Sequence, residues 1–120
     1  TKMADVQKHS WGHELTIART NDYCTKILAF DGVGSRTNFF FNVKKEKTWF
    51  VNTGNFKLRW IDTDTGKLFE TVLAEGQTHH VLPLMPCCLE SMVADSSITE
   101  SSNGDFEKDS FVVLPSTNIG

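Results

Sequence analysis

What this chain lacks narrows its class before any motif is considered. No run approaches the roughly 18 consecutive apolar residues that a membrane-spanning helix needs. The first residues, Thr1 to Lys8, are polar and carry no apolar signal-peptide core. Cysteine is sparse and odd in number: Cys24, Cys87 and Cys88. An odd set with two adjacent members does not make a disulfide framework, and a reducing, cytoplasmic setting is its simplest reading. Basic charge is not in excess, since 12 Lys and Arg face 15 Asp and Glu for a formal net charge of −3. The densest basic group, Lys44, Lys45 and Lys47, shares its turn with Glu46. Nucleic-acid binding normally shows a basic excess gathered on one face, so it is not expected. No window of about 11 residues keeps a 3.6-residue apolar period, which leaves no amphipathic helix to anchor a fold. Internal repeats, low-complexity tracts and dividing linkers are missing too, so the 120 residues read as one domain.

What remains is a succession of short apolar runs, about ten residues apart, with turn residues between them. Glu14–Ala18 alternates like a strand, and Tyr23–Phe30 follows the Asn21-Asp22 turn. Phe39–Val43 and Thr48–Val51, rich in aromatic and β-branched residues, flank a charged turn and read as an antiparallel hairpin. Asn55–Ile61 sets Phe56, Leu58 and Trp60 against Lys57, Arg59 and Ile61, and Lys67–Leu73 returns after the turn Asp62–Gly66. His79–Leu82 is short and extended. Cys88–Ala94 and Ser97–Glu100 read as a pair across Asp95-Ser96, and Phe111–Leu114 is the last apolar run. The pattern predicts an all-β sandwich or barrel.

The glycine spacing carries a resemblance. Five residues separate Gly34 from Phe40, Asn42 follows after one more, Lys47 after four, and Gly54 after six. Later, Gly76, Leu82-Pro83-Leu84, Cys87 and Ser91 repeat a second such frame. These spacings resemble the two motifs of the cupins, small β-barrels of jelly-roll topology. Trp11-Gly12-His13-Glu14, Tyr23–Leu28, Glu46–Val51 and Glu107-Lys108-Asp109 are similar to the cupin domains of type II mannose-6-phosphate isomerases and their small single-domain relatives. The resemblance implies a jelly-roll barrel over residues 10–114, with 1–9 and 115–120 as peripheral arms. It also implies where a metal would sit, because cupins of this type bind a divalent ion through two histidines, a glutamate and a third histidine. Those places hold Phe40, Asn42, Lys47 and Cys87, and Val112 stands about where the branch keeps a basic residue. Only Cys87, as thiolate, is a good ligand, so no metal and no other cofactor is expected.

Alternation along strands would turn Phe40, Asn42, Lys47 and Cys87 into the barrel together, with Trp49 and Val51 on the face of Lys47. Phe40, Asn42, Lys47, Trp49 and Cys87 are therefore the candidate ligand-pocket residues, and no catalytic residue is assigned. A Lys47 ammonium there would attract a carboxylate or phosphate; a desolvated one would be a Schiff-base candidate, and Cys87 beside it a reactive thiol. The plainer roles are a Lys47 head carried past Trp49 to solvent, Phe40 filling the emptied space, Asn42 bonding a backbone group and Cys87 packing as a small apolar residue. His79 and His80 are neighbours on a strand, point oppositely and cannot chelate one ion, while His9 and His13 read as surface residues.

Phe39 and Phe41 are expected to face outward. By resemblance a homodimer covers them, with Trp11 and the Glu14–Ala18 strand among the contacts; the alternative is a loop of the same chain. The leading functional expectation is a metal-free binder of a small sugar or sugar phosphate, with no nucleic-acid or membrane partner. A carbohydrate isomerase or epimerase is one alternative, although no acid/base pair is recognisable in the barrel. A structural role with a filled barrel is the other.

Overall fold

The structure, a computed structural model, describes residues 3–116. The outer ends of the two arms expected from the sequence, 1–2 and 117–120, lie outside the described residues. In chain order the strands are β1 (Asp5–His9), β2 (Gly12–Arg19), β3 (Cys24–Phe30), β4 (Phe39–Asn42), β5 (Lys47–Thr53), β6 (Asn55–Ile61), β7 (Leu68–Ala74), β8 (Thr78–Val81), β9 (Cys87–Ser91), β10 (Ser96–Ser102) and β11 (Ser110–Leu114). They form a six-stranded sheet, β1-β2-β3-β10-β5-β8, and a five-stranded sheet, β11-β4-β9-β6-β7. Every pairing is antiparallel. Among the described residues, no helix is long and apolar enough to cross a membrane.

Period-two alternation builds the space between the sheets. β3 turns Cys24, Lys26, Leu28 and Phe30 inward, and β10 does the same with Ser96, Ile98, Glu100 and Ser102. β5 adds Lys47, Trp49 and Val51 from the same sheet, and Phe56, Leu58 and Leu89 come from β6 and β9 opposite. Phe30 sits at the centre, edge-on to Phe56 at 4.9 Å between centroids and stacked on Trp11 at 4.4 Å. This aromatic and aliphatic filling occupies one end of the barrel. Charged inward residues collect at the other.

Two pairings differ from the sequence expectation. β4 and β5 are not a hairpin: β4 pairs with β11 and β9, whereas β5 pairs with β10 and β8 in the other sheet. Residues 43–46 carry the chain across the sandwich, and the Asp109 carboxylate fixes that crossing. It accepts the backbone N–H groups of Val43 at 3.1 Å, Lys44 at 2.8 Å and Lys45 at 3.0 Å. Likewise β9 and β10 lie in different sheets, so Asp95-Ser96 is also a crossing. Here Gly54, at φ 78°, packs directly on Ser96, where a Cβ would overlap the serine side chain. Gly34 and Gly76, the other two glycines of the spacing, share its left-handed backbone at φ 80° and 85°.

Phe39 and Phe41 lie on the outer face, as alternation with the cavity-lining Phe40 and Asn42 implies; Phe39 is buried there against Cys88 and Ile61, while half-buried Phe41 stacks on exposed Phe111 at 5.5 Å. Trp11 lies in the core between Phe30 and His9 rather than at an outer contact. Within the peripheral arm expected at 1–9, residues 5–9 form the exposed edge strand β1, with Val6 opposite Leu15.

Candidate functional site

Between the sheets, at the charged end, lies a cavity of about 300 Å³. Phe40 and Asn42 reach it from β4, and Lys47 and Trp49 from β5. Four of the five side chains singled out in the sequence thus line one space. Cys87 does not: it is 2% exposed on β9, directly across the β4–β9 pairing from Phe40, and is absent from the wall.

Lys47 is 3% exposed, and its amine stays inside the barrel instead of reaching solvent. Its Nζ donates to Asn42 Oδ1 at 2.9 Å and lies 4.5 Å from the centroid of Phe40 and 4.9 Å from that of Trp49. Asn42 therefore bonds a side chain from the opposite sheet, not a backbone group. Burial pushes the Lys47 amine below its ordinary value; the charge of Glu100 opposes this and is outweighed.

The rest of the polar wall is a chain of mutual pairs. His9 Nε2 lies 2.6 Å from Glu14 Oε1, and Glu14 Oε2 accepts from Lys26 Nζ at 2.9 Å. Lys26 also reaches Asp105 at 3.2 Å. Lys45 Nζ, 3.9 Å from Asp105, donates to Glu100 Oε2 at 3.0 Å, and Glu100 Oε1 accepts from Trp49 Nε1 at 2.9 Å. Burial drives the Glu100 carboxyl up, but the positive charges of Lys47 and Lys45 with the Trp49 and Lys45 hydrogen bonds hold it below the usual carboxylate range. Burial likewise pulls Lys26 down, yet its bond to Glu14 and the charges of Glu14 and Asp105 keep it above its ordinary value. No buried side-chain nitrogen or oxygen among the described residues lacks a hydrogen-bond partner.

Sequence reasoning missed Glu14, Lys26, Lys45, Glu100 and the half-buried His9. A signal existed for two of them. Lys26 shares the period-two face of Cys24, Leu28 and Phe30, and Glu100 that of Ile98. His79 and His80 do point apart: His79 is half-buried beside Trp60, and exposed His80 bonds Glu46 and Thr48.

The four side chains at the cupin-like ligand places do not fit a divalent ion. Phe40 has no lone pair, the Asn42 oxygen is engaged by Lys47, the Lys47 amine donates rather than accepts, and Cys87 is buried away from the cavity wall. Buried off the cavity wall, with its thiol pushed up to about 11 by burial, Cys87 fits the small apolar packing role better than the reactive thiol. Among the described residues no other group of His, Cys, Asp or Glu is arranged to hold a metal.

The two-sheet architecture has solved counterparts. CapF, a capsular polysaccharide assembling protein from Staphylococcus aureus, superposes with a TM-score of 0.84 and 12% identity, over 95% of this chain and 32% of that one. Oxalate decarboxylase from Bacillus subtilis superposes at 0.80 with 10% identity, over 92% and 30%. The fold is a cupin-type jelly roll. This cupin-fold chain spans about a third of the length of those proteins. No protein-family model and no curated protein matches the sequence.

Proposed function

We propose that the barrel cavity binds a small polyhydroxylated molecule, a sugar or sugar phosphate, without metal-dependent catalysis, in a cytoplasmic protein. The observation that carries this reading is the cavity itself. At about 300 Å³ it stands at the lower end of the ~300–1,000 Å³ typical of small-molecule sites. Its wall combines aromatic rings with polar groups that are already oriented by their own partners. Such a wall offers rings for the C–H faces of a sugar and fixed donors and acceptors for its hydroxyls. Because Lys26 and Lys45 are neutralised by Glu14, Asp105 and Glu100, the wall carries no large uncompensated charge, which favours a ligand with at most one anionic group. One fold neighbour is a capsular polysaccharide assembling protein, and that too favours a carbohydrate.

The cavity speaks against a filled barrel with a purely structural role. The isomerase or epimerase alternative lacks a free carboxylate base, since Glu14, Glu100 and Asp105 are each tied to lysine and Asp109 to three backbone N–H groups. Calorimetric titration with monosaccharides, their phosphates and sugar acids tests the reading. Saturable, stoichiometric binding of one of these classes is expected; the absence of saturable binding by all three overturns it.

A homodimer through the six-stranded sheet, which holds the Glu14–Ala18 strand expected among the contacts, is part of the same proposal. Val6, Leu15, Ile27, Thr99 and Phe50 lie directly opposite one another across five strands on the outer side of the six-stranded sheet. We propose this row, in place of Phe39 and Phe41, as the contact between two copies. A monomeric mass by light scattering contradicts it.

A further inference from the structure

The cavity contains three lysines with different surroundings. Lys26 and Lys45 each touch a carboxylate, at 2.9 Å and 3.0 Å. Among the described residues, Lys47 has no carboxylate oxygen within 4.0 Å of its amine, and Asn42 is its hydrogen-bond partner. The groups around it come from every packed element: Phe40 and Asn42 on β4, Trp49 on its own strand, Cys87 on β9, Glu100 on β10, Lys45 in the crossing and Asp109 before β11. Two aromatic rings flank the nitrogen, and the cavity lies against it. An ammonium without a counter-ion at such a site is disfavoured by desolvation. An amine with a free lone pair is not.

We propose that Lys47 captures the carbonyl carbon of a small aldehyde, ketone or 2-oxo acid, open-chain sugars included, as an imine inside the cavity. This rests on the ligand-binding reading above and names the class of ligand that would react there. The Nζ lone pair forms the new C–N bond while the carbonyl π pair moves to oxygen, which takes a proton. The nitrogen gives up a proton, and the carbinolamine then expels its oxygen as water. Both N–H hydrogens end on the departing oxygen. The exchange is one C=O for one C=N plus water, with no change of oxidation state and no co-reactant. Burial favours the neutral amine that this needs, in the manner of other desolvated lysine nucleophiles.

Reductive trapping tests the assignment on the full chain. Glycolaldehyde and pyruvate are supplied with cyanoborohydride at neutral pH, and modified lysines are located by peptide mass mapping. Modification of Lys47 several-fold faster than that of exposed Lys67 and Lys108 is expected, with the fast product absent from Lys47→Met. Labelling of Lys47 no faster than Lys67 and Lys108 overturns the proposal, and because this comparison is made within the parent protein it does not depend on how the variant folds. A parallel titration with an alditol, which has the hydroxyls but no carbonyl, separates the two readings. Alditol binding without Lys47 trapping sinks the imine and leaves the ligand site standing. Absence of both alditol binding and trapping sinks both.

Discussion

Lys47 on β5 donates its Nζ hydrogen to Asn42 Oδ1 on β4 over 2.9 Å, and the two strands belong to different sheets. The bond spans the sandwich at the cavity wall, with the Phe40 and Trp49 ring centroids 4.5 Å and 4.9 Å from the Lys47 nitrogen. Stability, titration and ligand chemistry at this site therefore depend on one another.

Asn42→Leu removes the hydrogen-bond partner of a buried amine and should destabilise the fold by about 1–3 kcal/mol, the usual penalty for an unsatisfied buried polar group. Adding Lys47→Met removes the stranded amine as well, so the double variant should recover much of that loss. Urea unfolding of the four proteins of this cycle gives the coupling; strictly additive losses contradict it.

Lys47 also predicts a pH trend. Its folded pKa lies below the ordinary lysine value of 10.5, so between those two pH values the unfolded chain holds a proton that the folded chain does not. The stability it contributes is present above 10.5 and is lost as pH falls through the lowered value. Relative to Lys47→Met, the parent should therefore gain stability as pH rises across that interval. Urea midpoints measured across alkaline pH read the difference directly.

For Glu100 the window lies in acid. Its folded pKa is below the ordinary 4.5, so its contribution is present above 4.5 and lost as pH falls through the folded value. Glu100→Gln should cost about 3 kcal/mol at neutral pH, because it leaves the buried Lys45 without its closest carboxylate. That gap between variant and parent should narrow below pH 4.5 in acid unfolding curves.

Asp109→Asn tests the crossing between β4 and β5. The aspartate offers Oδ1 to Val43 and Lys44 and Oδ2 to Lys45; asparagine keeps one such oxygen and turns an amide toward the remaining N–H. A loss of about 1–3 kcal/mol is expected, with faster hydrogen exchange at the Lys45 amide. Unchanged exchange there would show that the turn holds without this cap.

The strands were more legible in the sequence than their partners. Asn55–Ile61 alternates so regularly that its range agrees with β6, and its return strand and turn follow from Asp62–Gly66. The crossing at 43–46 was not legible, because a short charged turn between two aromatic runs suits a hairpin equally well. What decides it is Asp109, more than sixty residues away, whose carboxylate is matched to three backbone donors. β1 was missed because an exposed edge strand of mostly polar residues has no apolar face to mark it. The candidate site divides in the same way. Phe40, Asn42, Lys47 and Trp49 follow from spacing and alternation within one segment, whereas the ion-paired wall joins β1, β2, β3, β10 and two loops. Nothing local in the chain indicates that Glu14 meets Lys26 or that Glu100 meets Lys45.

The central claim is that the barrel cavity is a ligand site, and Trp11 and Trp49 provide reporters in its wall. A two-dimensional NMR titration of the labelled protein with the sugar, sugar-phosphate and sugar-acid panel observes both indole N–H signals at once. Saturable shifts of the Trp49 and Trp11 indoles, together with the Asn42 side-chain amide, are the predicted result. Indole signals that stay fixed through every titration, or shifts confined to the outer faces of the sheets, would contradict it.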